Sequence, residues 1–199
     1  MRIVLLTEGK TETALTDVLR DFLNERASRE GRPRIGLRTK RLDTRFLDLR
    51  RTSDEVVRSL RDPEVVCVVG LVDVYPYFAS AQEAKQFLRR AAAEEPKFYA
   101  HAAQFETEAW LLPYWDEICR RLGVWRQPPG GNPEEVDLEH PPSRHLSDLF
   151  RLARRSYNKP ADARAILERN GLVAAASQCP ELRSFLNTLL TSAGLGCLP

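Results

Sequence analysis

The sequence predicts an α/β protein with a mostly parallel central sheet flanked by helices and a helical appendage after it. Apolar, strand-like segments alternate with segments of helical periodicity from Arg2 to Leu112. Gln127 to Pro142 then holds five prolines and two glycines, a composition typical of loops. The remaining residues have helical patterns without a convincing strand. We therefore expect an α/β domain over residues 1–126, a loop over 127–142 and a helical region over 143–199 that packs on the first.

Four segments are predicted strands. The first is apolar at four consecutive positions, Ile3 to Leu6, as in strands that are buried on both faces. The run Val65 to Val69 gives the third segment the strongest strand pattern in the chain. The predicted strands are Arg2 to Thr7, Ile35 to Leu42, Glu64 to Val74 and Lys97 to Gln104.

The predicted helices begin and end at recognisable signals. Thr11 and Glu12 are suited to cap the first helix, and Pro96 stops the third. In chain order the predicted helices are Thr11 to Ala27, Ser53 to Leu60, Ser80 to Glu95, Glu106 to Leu112, Arg144 to Arg155, Pro160 to Asn170 and Glu181 to Thr191. The tail from Ser192 is expected to be loosely held.

Composition and charge limit the classes of function. No apolar run reaches the roughly 18 residues that a membrane span needs. Glu8 and Lys10 interrupt the first apolar run before it could form a signal-peptide core, so we expect a cytoplasmic protein. A net charge of +2 predicts no strong general attraction to nucleic acid. However, Arg26 to Arg51 holds ten basic residues, which could follow a phosphate backbone or face an acidic partner protein.

Several kinds of site have no support in the sequence. The four cysteines are widely spaced and form no C-x-x-C pair, which argues against a zinc site. Neither a P-loop, a G-x-G-x-x-G turn nor a Ser-His-Asp arrangement is present. Acyl transfer and nucleotide-cradling loops are therefore not expected.

Acidic residues follow three of the four predicted strands. Glu8 comes after the first strand, Asp73 ends the strongest, and Glu106 and Glu108 follow the last. Parallel α/β sheets bind ligands at the carboxyl ends of their strands, so we expect these acids to converge. Carboxylates about 4 Å apart repel by roughly 4 kcal/mol at an effective dielectric near 20 unless a cation offsets them. Their hard oxygens suit Mg²⁺ or Mn²⁺, and metal-assisted phosphoryl chemistry follows as a hypothesis.

Three basic residues are assigned to the phosphate of a substrate. Lys10 follows the Glu8-Gly9 turn, while Arg144 and Lys159 each stand where a helix begins. Helix N-termini favour anions, so a phosphate contact there is physically reasonable. For Lys159 a solvated turn remains the stronger interpretation of the residues alone.

The motifs also carry a resemblance. Leu5-Leu6-Thr7-Glu8-Gly9-Lys10 looks like the opening of Toprim domains, and Val69-Gly70-Leu71-Val72-Asp73-Val74-Tyr75 occupies the place of the second Toprim motif. The pattern continues in Phe105 to Pro113, Pro142-Ser143-Arg144, Tyr157-Asn158-Lys159 and Cys179-Pro180-Glu181. Over nearly its whole length the chain resembles a Toprim-like family of bacterial proteins called a domain of unknown function, number four-two-seven-six. It also resembles OLD-type nucleases.

The resemblance implies a Toprim-like fold and a Mg²⁺-dependent or Mn²⁺-dependent nuclease. Glu8 and Asp73 would be metal ligands and Lys159 a catalytic residue, with nucleic acid as substrate. A partner ATPase in anti-phage defence is implied because members are often encoded beside ATPases in defence islands.

Tyr75 is a departure, because Toprim sites usually carry a second aspartate there. Glu106 or Glu108 could restore the ligand count, but residues two apart point to different sides, so we expect one of them to serve. The alternative is a non-catalytic Toprim-like module that binds nucleic acid or a partner. A phosphatase with Asp73 as nucleophile would need an acid at Tyr75 and ranks last.

Overall fold

A four-stranded parallel sheet forms the centre of the computed structural model, which describes residues 1–9, 14–42, 48–135 and 139–199. The strands are β1 (Arg2–Thr7), β2 (Gly36–Arg41), β3 (Val65–Asp73) and β4 (Phe98–Ala103), in the order β2-β1-β3-β4. Helices cover the sheet, so the predicted fold class is confirmed.

The register of the strands places three of their ends at one edge. Thr7 at the end of β1 lies beside Leu71, and Asp73 at the end of β3 lies beside Ala103 at the end of β4. β1 is buried along almost its whole length, as its run of consecutive apolar residues predicts. The edge formed by these three ends is called the carboxyl edge below.

Eight α-helices are assigned in the described residues. They are α1 (Thr16–Arg29), α2 (Leu49–Leu60), α3 (Ala81–Ala91), α4 (Trp115–Leu122), α5 (Pro142–Leu152), α6 (Lys159–Asn170), α7 (Val173–Ala176) and α8 (Pro180–Ser192). Two 3₁₀ helices, Thr107–Tyr114 and Pro133–Glu135, precede α4 and α5.

The sheet separates two hydrophobic cores. On one face Val4, Val68 and Val72 pack with Val56 of α2 and Leu88 of α3. On this face Gly70 allows close packing, since a Cβ there would lie 2.7 Å from the ring of Phe98.

The core on the other face is larger. Ile3, Leu5 and Val69 pack with Leu19 of α1 and with Leu186 of α8. This core is continuous between the sheet and the carboxyl-terminal helices. The division into domains at residues 126 and 143 stays a prediction.

Several predicted boundaries were wrong for local reasons. α1 continues to Arg29, and the predicted start at Thr11 lies outside the described residues. α2 begins at Leu49 because the Asp48 carboxylate accepts a hydrogen bond from the Arg51 amide at 3.2 Å. α3 ends at Ala91, well before Pro96, because Ala93 and Glu94 adopt positive φ angles of 52° and 54°.

The predicted helix over Glu106 to Leu112 is a 3₁₀ helix that leads into α4. Neither α4 nor the four-residue α7 was predicted.

The tail from Ser192 is held in place, contrary to the prediction. Leu195 and Leu198 are buried in the larger core. The Leu198 amide donates to Asn187 Oδ1 at 2.7 Å, and Arg26 Nη2 donates to the Gly196 carbonyl at 3.0 Å. Within the described part of the chain, no helix is long and apolar enough to cross a bilayer.

Candidate functional site

Three of the predicted acids meet at the carboxyl edge around one lysine. Lys159 Nζ lies 3.2 Å from Glu106 Oε1 and 3.4 Å from Glu108 Oε1. Asp73 lies beside the backbone that connects the two glutamates, because the amide of Thr107, the residue between them, donates to Asp73 Oδ1 at 2.9 Å. The sequence predicted that the acids after these strands would converge, and Asp73, Glu106 and Glu108 do.

The 3₁₀ helix explains why both glutamates reach Lys159. Glu106 stands before its first residue with an extended backbone, at φ −146° and ψ 155°, and Glu108 lies inside its first turn. In a regular strand or α-helix, residues two apart would point to different sides. Both glutamates therefore face the same lysine, and the expectation that one of them serves as a metal ligand stays a prediction.

Glu106 also supplies the missing cap of α5. Its Oε2 accepts a hydrogen bond from the Ser143 amide, and its Oε1 accepts one from Ser143 Oγ, each at 2.9 Å. Ser143 lies in the first turn, because α5 begins at Pro142. The N-terminal end of α5 lies at the Glu106 carboxylate, and the dipole of this helix favours the negative charge.

Lys159 remains charged at this site. Burial lowers the pKa of Lys159, but Glu108, Glu106 and Asp73 together outweigh burial and raise that pKa above its ordinary value of 10.5. Glu108 is almost fully buried and Glu106 is 8% exposed, whereas the Lys159 side chain is 45% exposed. The lysine is thus the solvent-facing side of the cluster.

The other predicted residues stand at different distances from this cluster. Glu8 follows β1 at the carboxyl edge, and its Oε2 is buried. Arg144 is exposed in the first turn of α5, next to Ser143. Lys10 lies outside the described residues.

Carboxylate oxygens fit Mg²⁺ or Mn²⁺ by their chemistry. The arrangement is less favourable, because Lys159 lies between Glu106 and Glu108 where a cation would bind. Among the residues that the structure describes, no three acidic, histidine or cysteine side chains form a cluster suited to a metal ion. Asp73 also acts on Lys159, since its charge contributes to the raised pKa of that lysine.

Three polar residues have roles that the sequence patterns did not indicate. Thr107 and Ser143 orient the acids, and the buried Tyr157 hydroxyl has no hydrogen-bond partner within the described residues. Burial and the charges of Glu108, Asp162 and Glu106 raise the pKa of Tyr157 well above its ordinary value. In the sequence, this tyrosine could have been identified from the motif Tyr157-Asn158-Lys159, where it lies two residues before Lys159.

A fourth missed residue, Glu134, lies in a separate buried position. Trp110 Nε1 donates to its Oε1 at 3.1 Å, and the amides of Glu181 and Leu182 donate to the carboxylate at 2.9 and 3.3 Å. Glu134 therefore caps α8. Burial raises the pKa of Glu134, although these three hydrogen bonds lower it.

The basic segment Arg26 to Arg51 is partly neutralised. Lys40 pairs with Glu55, and Arg26 Nη2 lies 3.6 Å from Glu30 Oε1. Arg38 and Arg50 are exposed, while residues 43–47 lie outside the described part.

The fold and site define a parallel α/β protein with an acidic cluster and a lysine at the carboxyl edge of its sheet. The chain belongs to the family described as a domain of unknown function (DUF4276), whose model matches residues 7–190. This confirms the family resemblance of the motifs.

Comparison with solved structures finds similarity to the C-terminal region of the Burkholderia pseudomallei OLD protein. The two share 12% sequence identity, the match covers 96% of each chain, and the TM-score is 0.39. No curated protein matches this chain.

Proposed function

We propose that this protein is a Toprim-like phosphoryl-transfer enzyme, specifically a nuclease that hydrolyses phosphodiester bonds with Mg²⁺ or Mn²⁺. The observation that carries the proposal is the convergence of Asp73, Glu106 and Glu108 with Lys159 at the carboxyl edge, where β1 also delivers Glu8. Ligands of parallel α/β proteins bind at this edge.

Each group has a role in the proposed reaction. Glu8 and Asp73 would hold the metal, which would polarise the phosphate and activate water when bound. Lys159 donates to a phosphate oxygen, since its side chain reaches solvent and keeps its proton. Glu106 and Glu108 hold Lys159 in position, and either could also serve as a metal ligand. Arg144 and Lys10 are proposed to bind flanking phosphates of the nucleic acid.

Cleavage assays with active-site variants test this proposal. Labelled DNA and RNA would be incubated with the protein and Mg²⁺ or Mn²⁺, comparing Glu8→Gln, Asp73→Asn and Lys159→Met with the parent. We expect each variant to lose about 100-fold or more in rate, because each loses a group that stabilises the transition state. Asp116→Asn and Glu135→Gln change exposed acids outside the cluster and should cleave like the parent. Unchanged cleavage in both Glu8→Gln and Asp73→Asn would refute the assignment.

A non-catalytic module that binds nucleic acid or a partner is the second candidate. It is favoured by Lys159, which already pairs with two of the acids, and by Tyr75 at the place of the second Toprim aspartate. An ATPase encoded beside the protein in an anti-phage defence island would be the partner. Calorimetry with Mn²⁺ separates the candidates, because an enzyme requires metal binding that Asp73→Asn abolishes. Co-purification with the ATPase in the absence of metal binding would support the module.

A further inference from the structure

Two exposed tyrosines lie at the carboxyl edge, in the loop that leads from β3 to α3. Tyr75 is 45% exposed and Tyr77 is 43% exposed, and both follow Asp73 within four residues. Apolar side chains scattered singly over a surface are ordinary, whereas grouped ones mark binding sites. We call Tyr75 and Tyr77 the tyrosine pair.

The backbone that carries the tyrosine pair is held in a tight turn. The amides of Tyr77 and Phe78 both donate to the Val74 carbonyl, at 3.1 and 2.8 Å. Phe78 packs against the smaller core and against Phe87 of α3, with 5.4 Å between the two ring centroids. The loop therefore buries much of its phenylalanine and leaves both tyrosine rings in solvent on a constrained backbone. Rings that are already held in place lose less entropy when they bind a ligand.

A backbone contact joins the tyrosine pair to the acidic cluster. The Tyr75 amide donates to the Phe105 carbonyl at 2.9 Å, and Phe105 directly precedes Glu106. Phe105 has a φ angle of 64°, a left-handed conformation that is unfavourable for a bulky residue. Strained backbone of this kind is concentrated at functional sites. The tyrosine pair and the candidate active site are thus parts of one surface.

Positive charge is present at the same edge. Lys159 keeps its proton and is 45% exposed. Because α2 connects the end of β2 to the start of β3, two parallel strands, its first turn lies on the side of the carboxyl edge. Arg50 is exposed in that turn. Cations together with exposed aromatic rings are the combination that binds single-stranded nucleic acids, since the cations contact the backbone and the rings stack on bases.

We propose that the tyrosine pair stacks on unpaired bases, so that the substrate of the candidate active site is a single-stranded segment of nucleic acid. In a duplex the bases are stacked on one another, and their faces are closed to a side chain. A tyrosine ring accepts any unpaired base, because every base has a π-face. The choice of nucleic acid rests on the proposed function, but stacking itself requires neither metal nor cleavage.

Fluorescence anisotropy in EDTA, where metal-dependent cleavage cannot occur, tests the proposal. The protein would be titrated into three labelled probes: a single-stranded oligonucleotide, the same strand in a duplex, and a strand of equal length and charge that lacks its bases. We expect the single strand to bind about 10-fold or more tightly than the base-free strand, because stacking on the two rings is lost without bases. The duplex should also bind more weakly than the single strand.

Variants of the tyrosine pair locate the stacking. Tyr75→Ala and Tyr77→Ala should each weaken binding of the single strand about 10-fold and leave binding of the base-free strand unchanged. Tyr75→Phe keeps the ring and should restore the binding that Tyr75→Ala loses. Tyr99→Ala is the matched control, because Tyr99 is 42% exposed but lies near the start of β4, away from the carboxyl edge.

The outcomes separate this inference from the proposed nuclease. Base-dependent binding that requires the tyrosine pair, in a protein that cleaves neither DNA nor RNA, would support stacking and refute the nuclease. Cleavage that Asp73→Asn abolishes, together with unchanged single-strand binding in Tyr75→Ala and Tyr77→Ala, would support the nuclease and overturn stacking. Equal binding of the single strand and the base-free strand, or equal weakening by Tyr75→Ala and Tyr99→Ala, would also overturn stacking and would leave the tyrosine pair to contact with a partner protein.

Discussion

Glu106 and Glu134 are two buried glutamates that both cap helices, but their surroundings differ. Each accepts hydrogen bonds at the N-terminus of a helix far along the chain, α5 for Glu106 and α8 for Glu134. Glu106 also shares its carboxylate with the half-exposed Lys159 and stands beside Glu108 and Asp73. Glu134 is enclosed by Trp110 and α8.

The comparison distinguishes Glu134, whose role is structural, from Glu106, which caps a helix and also lies in the candidate functional site. The donors around Glu134 are two backbone amides and an indole, groups with fixed positions. Those around Glu106 include a flexible ammonium and a hydroxyl. A ligand could displace Lys159 from Glu106 without unfolding a helix, whereas Glu134 has no such freedom. Four experiments test this comparison and the buried groups near the two glutamates.

The largest effect is expected for Glu134→Ala. It leaves three buried donors without an acceptor, so the free energy of unfolding should fall by roughly 3 kcal/mol. Urea denaturation measures the change, and Glu135→Ala is the control because Glu135 is exposed one residue away. If Glu134→Ala were as stable as Glu135→Ala, the capping role of Glu134 would be wrong.

Glu106→Gln should cost less stability and should affect function. The amide keeps the shape but loses the charge that Lys159 faces, so we expect a loss of about 1 kcal/mol, because the half-exposed lysine is partly solvated. Cleavage or metal binding should fall as well, measured beside Glu134→Gln, which should lower stability alone. Equal functional loss in the two variants would erase the distinction between the glutamates.

Loss of the hydroxyl should destabilise the protein at Tyr114 and should not destabilise it at Tyr157. Tyr114 Oη donates to the Gly171 carbonyl at 2.8 Å and accepts from the Ala175 amide at 2.9 Å, so Tyr114→Phe should lower the free energy of unfolding by about 1 kcal/mol. Tyr157→Phe removes a buried hydroxyl that lacks a partner in the described residues and should leave stability unchanged or slightly raised. Thermal unfolding of both variants decides. A destabilised Tyr157→Phe would reveal a bonded hydroxyl.

The smallest effect concerns pH. The pKa of Glu134 is raised above 4.5 in the folded state, so its contribution to stability is fully present below 4.5 and is lost as pH rises through the folded pKa. The parent should therefore lose stability relative to Glu134→Gln as pH rises from 4.5 through the folded pKa of Glu134. Urea unfolding of both proteins across this range measures the difference. If the difference in free energy of unfolding between the two proteins did not change with pH, the pKa of Glu134 would not be raised.

The sequence was sufficient for the sheet and for the placing of its acids. Consecutive apolar residues such as Ile3 to Leu6 mark buried strands, and the parallel topology then brings the strand ends to one edge. α4 could also have been predicted, since Trp115, Ile118, Cys119 and Leu122 recur at helical spacing. The prediction stopped at Leu112, one residue before Pro113.

Contacts between distant segments could not be predicted. Glu134 looks like one acid of a polar loop, and its donors lie 24 to 48 residues away. The meeting of Glu106 and Glu108 on one lysine depends on a 3₁₀ turn, which has no strong sequence signal. The hydrogen bonds that fix the tail likewise involve Asn187 and Arg26, and the sequence around these two residues does not indicate such contacts.

The capping of α5 and α8 by remote glutamates has a consequence for the order of folding. Neither helix has a side-chain cap from the residue before its first turn, so each N-terminus would fray in an isolated carboxyl-terminal fragment. Glu106 reaches Ser143 across 37 residues, and contacts of that separation form only after the intervening chain has closed into a loop. We therefore expect the first turns of α5 and α8 to become complete only after the segments that hold Glu106 and Glu134 have docked against them.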